Sequence, residues 1–440
     1  MTTITPFTIQ IRDLTNLDQF RAVDFFRRLL WAEAKRVGIS KYLIDAPDCI
    51  NVGDGGIDAL IKDVNPSIDE IIPNGTSGFQ IKSSNLHPNQ CKKELHIGKN
   101  LNNPIKPEIK RLLEMDGTYI LVLFADMPVP QKARREDVIR ERLALLGYQN
   151  AKFRIYTANQ LASFAEQYIS LVSCLNRNSI QCMPYSIWSY NADVSMPRQF
   201  VFDEERIKYI EEIRREISYN DDRCKIFRVA GLPGIGKTRF VFETLSSDTL
   251  KHLVIYVRAD EFRFNSLYHE LLNNDNLSAI IVIDECDIKY HDEFARAFSG
   301  RGSRLVIFTI SHDMTNVNPP TLLYKLNPLK KESISEILSL ELPNLPKDVI
   351  ERLSQFADGY PRIAIILGDS YLRNKDQQEK YLYIEDEYLF NRLIAGTIDI
   401  GSERFYETKK VLMGLSLFSK AGYLEDLQKE SKWVAELIKC

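Results

Sequence analysis

The stretch that decides the fold is Ile226-Phe-Arg-Val-Ala230 running into Gly231-Leu-Pro-Gly-Ile-Gly-Lys-Thr238. An apolar run of strand length opens directly into G-x-x-x-x-G-K-[ST] and then into a helical pattern, the context in which this motif cradles phosphates. Gly231, Gly234 and Gly236 let the backbone bend so that successive N–H groups point at phosphate oxygens. The helix N-terminus adds the positive end of its dipole. Lys237 is placed to reach the β- and γ-phosphates and Thr238 to hold Mg2+. With Pro233, Ile235 and the following Arg239, these residues form the expected nucleotide-contact set.

Downstream, Ala279-Ile-Ile-Val-Ile-Asp-Glu285 reads as a buried strand that ends in two acids. Asp284 there suits Mg2+, and Glu285 suits the orientation of an attacking water. The next strand, 303–309, ends near polar Thr309, Ser311 and His312, within reach of a γ-phosphate; His312 reads more simply as a loop histidine. Helix 203–217, strand 225–230, helix 237–246, strand 252–257, helix 265–273, strand 279–284, helix 291–298 and strand 303–309 alternate, which predicts a doubly wound parallel sheet. Residues 330–440 are mostly helical in pattern. Residues 176–200 lack periodicity and read as a linker that packs on something, because Trp188 and Tyr190 are costly to expose.

The P-loop, the Asp284-Glu285 strand end, Leu326-Asn-Pro-Leu329 and Gly359-Tyr-Pro361, in this order, resemble the NTPase module of STAND proteins, the signalling branch of the AAA+ class. The resemblance implies ATP and Mg2+ as cofactors, a P-loop core over 201–328, a helical lid over 329–400 with Pro361 against adenine or ribose, and the start of a winged helix over 401–440. Many relatives end the 303–309 strand with an arginine just past a Thr pair, where this chain has Thr309-Ile310-Ser311-His312.

Residues 1–175 carry a second site. Asn16 to Val37 has helical periodicity with Thr15 or Asn16 as its cap. Strand patterns follow near 57–64, 78–83, 118–124 and 152–156, and helical ones near 107–115, 131–146 and 158–173, an α/β layout with a central sheet. Gly53-Asp-Gly-Gly-Ile-Asp58 leads into the first strand, and Gly78-Phe-Gln-Ile-Lys-Ser83 forms the second. Alternation puts Gln80 and Lys82 on one face. A hairpin of the two strands brings Asp58 beside them. The Asp58 carboxylate, the Gln80 side-chain oxygen and the Ile81 carbonyl make an oxygen-lined Mg2+ site. Lys82 can position a water or offset phosphorane charge. Glu33 is the helix-borne acid expected to complete the metal site, and Asp54 is the weaker competitor of Asp58.

Asp…Gln-x-Lys after a Gly-Asp-Gly-Gly-Ile-Asp turn resembles the PD-(D/E)xK nuclease superfamily in its Mrr-type branch, with Ile57 where the superfamily has Pro and Gln80 in place of the second acid. Such a nuclease fused to a STAND NTPase looks like the Avs (antiviral STAND) proteins. That resemblance implies an Mg2+-dependent endonuclease acting on double-stranded DNA. It also implies ATP-supported assembly into a homo-oligomer, commonly a tetramer, and a phage-protein trigger of the large terminase or portal type. The trigger is read by a C-terminal sensor, and the 440 residues are expected to be a fragment that stops short of it. Two other readings stand beside this one: an NTP-dependent restriction endonuclease acting on modified DNA, and a nucleotide-switched regulator with an inactive nuclease fold.

Composition sets the outer bounds. The chain is 44% hydrophobic and 27% charged, with a net charge of -3, which excludes collagen-like, disordered and uniformly basic classes. Residues 81–155 nevertheless hold 14 Lys/Arg against 8 Asp/Glu. Lys92, Lys93, Lys99, Lys106, Lys110, Arg111, Arg134 and Arg135 are the candidate phosphate contacts there. The seven cysteines are scattered with no Cys-x-x-Cys pair, as expected of reduced thiols in the cytoplasm. No apolar run reaches the ~20 residues of a membrane helix.

Overall fold

The computed structural model describes residues 7–47, 55–66, 68, 70–175, 182–190, 200–201, 203–219, 223–373, 391 and 402–415. Contacts divide the chain into two compact units. One comprises Met1–Ser195, Lys208–Ala230 and Phe240–Lys325; the other Met196–Ile207, Gly231–Arg239 and Leu326–Cys440.

The first unit holds two sheets. The N-terminal sheet runs β1 (Ile44–Asp45), β2 (Ala59–Val64), β3 (Gly75–Lys82), β4 (Thr118–Leu123) and β5 (Lys152–Tyr156) in that spatial order. β1, β2 and β3 pair antiparallel, whereas β3–β4 and β4–β5 are parallel. All six residues of β4 are buried, which is why Tyr119 to Phe124 reads as an apolar run of strand length: a central strand with both faces covered has no polar side. One face packs on α3 (Pro88–Glu94), α4 (Pro107–Glu114) and α5 (Val129–Leu145), through Cys91, Leu112 and Ile139 against Tyr119, Leu121 and Leu123. The other is covered by α2 (Gln19–Arg36), where Phe26 meets Phe79 with ring centroids 5.4 Å apart.

Several boundaries differ from the sequence expectation. A separate α1 (Ile11–Thr15) precedes α2, and the cap of α2 is Asp18, whose carboxylate accepts from Arg21 N at 2.9 Å. Neither Thr15 nor Asn16 caps it: both lie before the bend that separates the two helices. The expected helix 158–173 is two, α6 (Ala158–Ala165) and α7 (Ile169–Leu175). Gly53 and Asp54 lie outside the described residues, as do most of 374–401 and all of 416–440, so the winged-helix expectation meets only α18 (Glu403–Leu415).

The second sheet has the order β11-β7-β10-β9-β8-β6. β7 (Lys225–Ala230), β8 (Val254–Arg258), β9 (Ala279–Asp284), β10 (Leu305–Ser311) and β11 (Leu322–Lys325) are parallel. Their carboxyl ends therefore share one edge, with β7 between β10 and β11 although β8 comes next in sequence, a topological switch of the kind that places ligand crevices. The expected linker is partly sheet. β6 (Met183–Pro184) pairs antiparallel with β8, and α8 (Tyr185–Trp188) buries Trp188 completely against Tyr256, at 4.9 Å. Tyr190, expected to pack with it, is 85% exposed.

In the second unit α15 (Lys331–Glu341), α16 (Lys347–Phe356) and α17 (Pro361–Arg373) bury Ile334, Leu338, Val349, Leu353, Ala364 and Leu367 around one core that also takes Val201. The two motif segments meet here: Leu329 N donates to Gly359 O at 2.9 Å.

Candidate functional sites

The N-terminal site is built by the β2–β3 hairpin. Ala59 pairs with Phe79, so the residue before β2 lands beside the middle of β3. Asp58 N donates to Phe79 O at 2.7 Å, and the Asp58 carboxylate accepts from Ile81 N at 2.6 Å. The hairpin thus fixes Asp58 at Ile81, flanked in sequence by Gln80 and Lys82. Gln80 is 1% exposed. Its Oε1 accepts from the Tyr119 hydroxyl at 2.6 Å, and its Nε2 donates to Glu94 at 3.1 Å.

Glu94, which sequence reasoning passed over, is the hub of this site. It ends α3 and is itself 1% exposed. Lys99 approaches one of its oxygens at 2.6 Å, and Lys106 and Lys82 approach the other at 3.5 and 3.7 Å. Burial alone would push this carboxyl up, but the bond from Lys99 and the charges of Lys82 and Lys106 hold it below its usual range. The signal was present: Glu94 is the only acid between Lys82 and Lys106, a stretch with five lysines.

Glu33 does not join Asp58. Its carboxylate is fully buried and forms a two-pronged pair with Arg36, at 2.6 and 2.8 Å, and accepts from the Tyr168 hydroxyl. The physical reason is position along the helix. Gln19, the first residue of α2, is at the site: its Nε2 donates to Ile81 O and its Oε1 accepts from Ser83 N, both at 2.9 Å. Glu33 lies about 21 Å further along the axis, at ~1.5 Å per residue. Arg135 is likewise not a surface phosphate contact. It is buried and donates to Leu86 O, Gln131 O and Asn85 Oδ1, tying the loop after β3 to α5. Lys93, Arg111 and Arg134 are exposed, and Lys110 pairs with Glu114.

In the second unit, Gly234 and Gly236 take φ of +82° and +90°, a left-handed backbone that turns the loop between Gly231 and Lys237. Lys237 Nζ donates to Leu232 O at 2.9 Å, and Arg362 N, next to Pro361, reaches Gly234 O at 3.5 Å. Buried Arg206 braces the loop, donating to Ile235 O at 2.9 Å while paired with Asp203. Lys237 opens α10 (Lys237–Thr244).

At the carboxyl edge of the second sheet, in the first unit, Asp284 accepts from Tyr256 OH at 3.0 Å and from Glu285 N at 2.8 Å. Glu285 takes φ +52°, rare for a residue with a Cβ, and its carboxylate pairs with Arg258 at 2.6 Å. Thr309 is buried and bonded to His291 Nδ1 at 2.8 Å, a structural partnership, and His312 is exposed.

No protein-family model and no curated protein matches the chain. Among solved structures it is similar to the RuvB Holliday junction branch migration motor of Thermotoga maritima, at 16% identity over 52% of this chain and 80% of that one, with a TM-score of 0.33. It is also similar to Cdc6p from Pyrobaculum aerophilum, at 14% identity over 55% and 88% with a TM-score of 0.33. A third likeness is to PCH-2 of C. elegans, at 13% over 46% and 72% with a TM-score of 0.28. At these identities and scores they bear on no particular residue of this chain. Among the described residues no helix is long and apolar enough to cross a membrane.

Proposed function

We propose that this chain couples an ATP-binding P-loop switch of the STAND type to an N-terminal Mg2+-dependent endonuclease that cuts double-stranded DNA, as part of an antiviral defence. The observation that carries the reading is the Asp58–Ile81 pairing, which puts a carboxylate beside Gln80 and Lys82, in a chain that also holds a complete P-loop after a central parallel strand.

The donor chemistry fits a hard cation. Asp58, the Ile81 carbonyl and Gln80 Oε1 are all oxygens, the donor type a hard cation takes. These three would hold Mg2+, with Gln19 orienting the Ile81 carbonyl. Bound there, the ion supplies charge stabilisation for the phosphoryl oxygens and an activated water. Lys82, partly exposed, offsets charge on the attacked phosphate. Glu94 sets the position of Lys82 and of the Gln80 amide, so it acts through them.

In the switch, the backbone N–H groups of 231–236 and Lys237 would bind the β- and γ-phosphates, with Thr238 and Asp284 on Mg2+ and Glu285 on the attacking water. Pro361 would face the adenine or ribose. Assembly of ATP-loaded chains, commonly as a tetramer, and release by a phage protein of the terminase or portal type complete the reading. A latent nuclease that acts only when paired spares the cell.

The test is plasmid cleavage with Mg2+ and ATP, with and without co-expressed phage structural proteins. Lys82→Ala abolishes cleavage with ATP binding retained, and Lys237→Ala abolishes both ATP binding and triggered cleavage. Untriggered cleavage that Lys237→Ala leaves intact would sink the switched-nuclease reading.

A further inference from the structure

A buried charge stands inside the second sheet. β7 runs Lys225-Ile-Phe-Arg-Val-Ala230, and its Arg228 is fully buried. A central parallel strand is covered on both faces and carries apolar residues, so a guanidinium in its middle is exceptional. The same strand leads in sequence straight into Gly231 of the P-loop.

The surroundings do not offset this burial. Among the described residues no carboxylate pairs with Arg228. Burial pushes its pKa down, and Cys286 and the carboxylates of Asp313, Asp287 and Asp292 counter that only in part. Its Nε and Nη2 are buried with no partner. Thr309 of β10 lies beside it in register, but the Thr309 hydroxyl bonds His291 Nδ1 at 2.8 Å, and His291 Nε2 bonds the Thr321 hydroxyl at 3.2 Å. On the other side Leu323 of β11 has no polar side-chain atom. A buried donor left unmade lowers stability, and natural proteins keep such groups where function needs them.

The bond that Arg228 does make shows the use. Its Nη1 donates to Cys286 O at 3.2 Å. In the order β7-β10-β9 the side chain therefore reaches past β10 to the residue that follows the Asp284-Glu285 pair. Glu285 has φ +52°, a left-handed backbone that a residue with a Cβ keeps only where its surroundings fix it. Two bonds fix the peptide groups just beyond it. Cys286 N donates to Ile310 O at 2.9 Å, and Arg228 holds the Cys286 carbonyl.

We propose that Arg228 is a positioning residue for ATP hydrolysis and acts through Glu285: by holding the Cys286 carbonyl it keeps the Glu285 turn left-handed and its carboxylate set to orient the attacking water. The inference rests on the P-loop switch proposed above and adds to it a residue outside both the P-loop and the acidic pair. Arg228 serves turnover while lowering stability, so the two respond differently to its removal.

The test is Arg228→Met in the full chain, which keeps an extended side chain and removes the charge and every donor. Replacing a buried charge by an apolar side chain of similar size is often neutral or stabilising, so the thermal melt followed by circular dichroism stays at the wild-type temperature or rises. The Kd for ATP with Mg2+ changes by less than about threefold, whereas kcat falls by about tenfold or more, as expected when a catalytic group loses its alignment. In a Glu285→Gln background the same substitution lowers the residual single-turnover hydrolysis no further, because the two residues act as a unit. Arg228→Lys, which keeps a cationic donor, retains more turnover than Arg228→Met. A kcat for Arg228→Met within about threefold of wild type overturns the proposal. So does a further loss in the Glu285→Gln background. A lowered melting temperature or a failure of Arg228→Met to fold makes the residue structural and overturns it as well. Wild type that binds ATP without turnover overturns it too, since no water is then being oriented. Wild type that binds no ATP is a different failure: it sinks the P-loop switch itself and this inference with it.

Discussion

Glu94→Gln isolates the contribution of one buried carboxylate. The side chain keeps its volume, loses its charge and turns one acceptor oxygen into a donor, while Lys82, Lys99 and Lys106 stay around it. Breaking a buried pair by removing one partner costs about 3–5 kcal/mol. The lower end applies here, because the Lys99 side chain is 61% exposed and screened, whereas those of Lys82 and Lys106 are 22% and 16% exposed. The expected loss is about 3 kcal/mol at neutral pH, read from the shift of the urea transition of the N-terminal sheet at constant slope. The pH dependence gives a second handle. The folded pKa of Glu94 is depressed, so its contribution is fully present above the unfolded value, about 4.3, and is lost as pH falls through the folded value. Wild type and variant must therefore converge in acid. A variant within about 0.5 kcal/mol of wild type at pH 7, the range of an ordinary surface substitution, would refute the hub. So would a difference that stays constant into acid.

Three further outcomes are expected. Glu33→Gln removes the buried charge that pairs with Arg36 and turns one of its two acceptor oxygens into a donor, and it lowers stability by about 3 kcal/mol in the same urea assay, yet leaves the Mg2+ dependence of cleavage unchanged; a shifted Mg2+ requirement would return Glu33 to the site. His291 has its pKa pushed down to about 4 by burial and by Arg228, so its contribution, up to about 3 kcal/mol, is present above pH ~6.5 and is lost as pH falls toward 4. His291→Gln should flatten that window in thermal melts. Gly359→Ala puts a Cβ 2.5 Å from Leu329 O at a φ of +83°, and should cost more than the ~1 kcal/mol of a strained turn alone; an unchanged melting temperature would show that the segment gives way.

The four central strands of the second sheet were legible to within two residues, whereas the short edge strands β6 and β11 were not. Lys225–Ala230 and Ala279–Asp284 are parallel strands buried on both faces, so their apolar runs have no competing reading, and a glycine loop with positive φ punctuates the first. The N-terminal hairpin was legible for the same local reason: period-two alternation and a glycine turn fix Asp58 against β3. Glu33 misled because local pattern cannot say how far along a helix the site lies. The helix was recognisable, but an acid and a glutamine in it look alike until tertiary packing chooses the turn that faces β3. Trp188 is buried as expected and Tyr190 is not: both looked buried in the sequence, and only the pairing of β6 with β8 separates them.

Glu94 and α2 together change what the N-terminal site is. With three lysines on one carboxylate, the basic stretch of 81–155 is not a free phosphate-binding surface. Part of its charge is spent inside, holding Gln80 and Lys82 in place. α2 in turn does more than cover the sheet. Its 18 residues span about 27 Å, from Gln19 on the Ile81 carbonyl to Lys35, whose ammonium donates to Ile217 O at the end of α9 (Glu204–Ser218). Burial lowers the pKa of Lys35, so that bond is made in a desolvated setting where it resists exchange with water. Arg27 and Arg28 sit between those two anchors. A single helix therefore touches the proposed metal-site carbonyl and the helix that leads into β7. Were α2 to move as one body, a shift at its Lys35 end would carry the Gln19 amide with it, and the bonds of that amide to Ile81 O and Ser83 N would change.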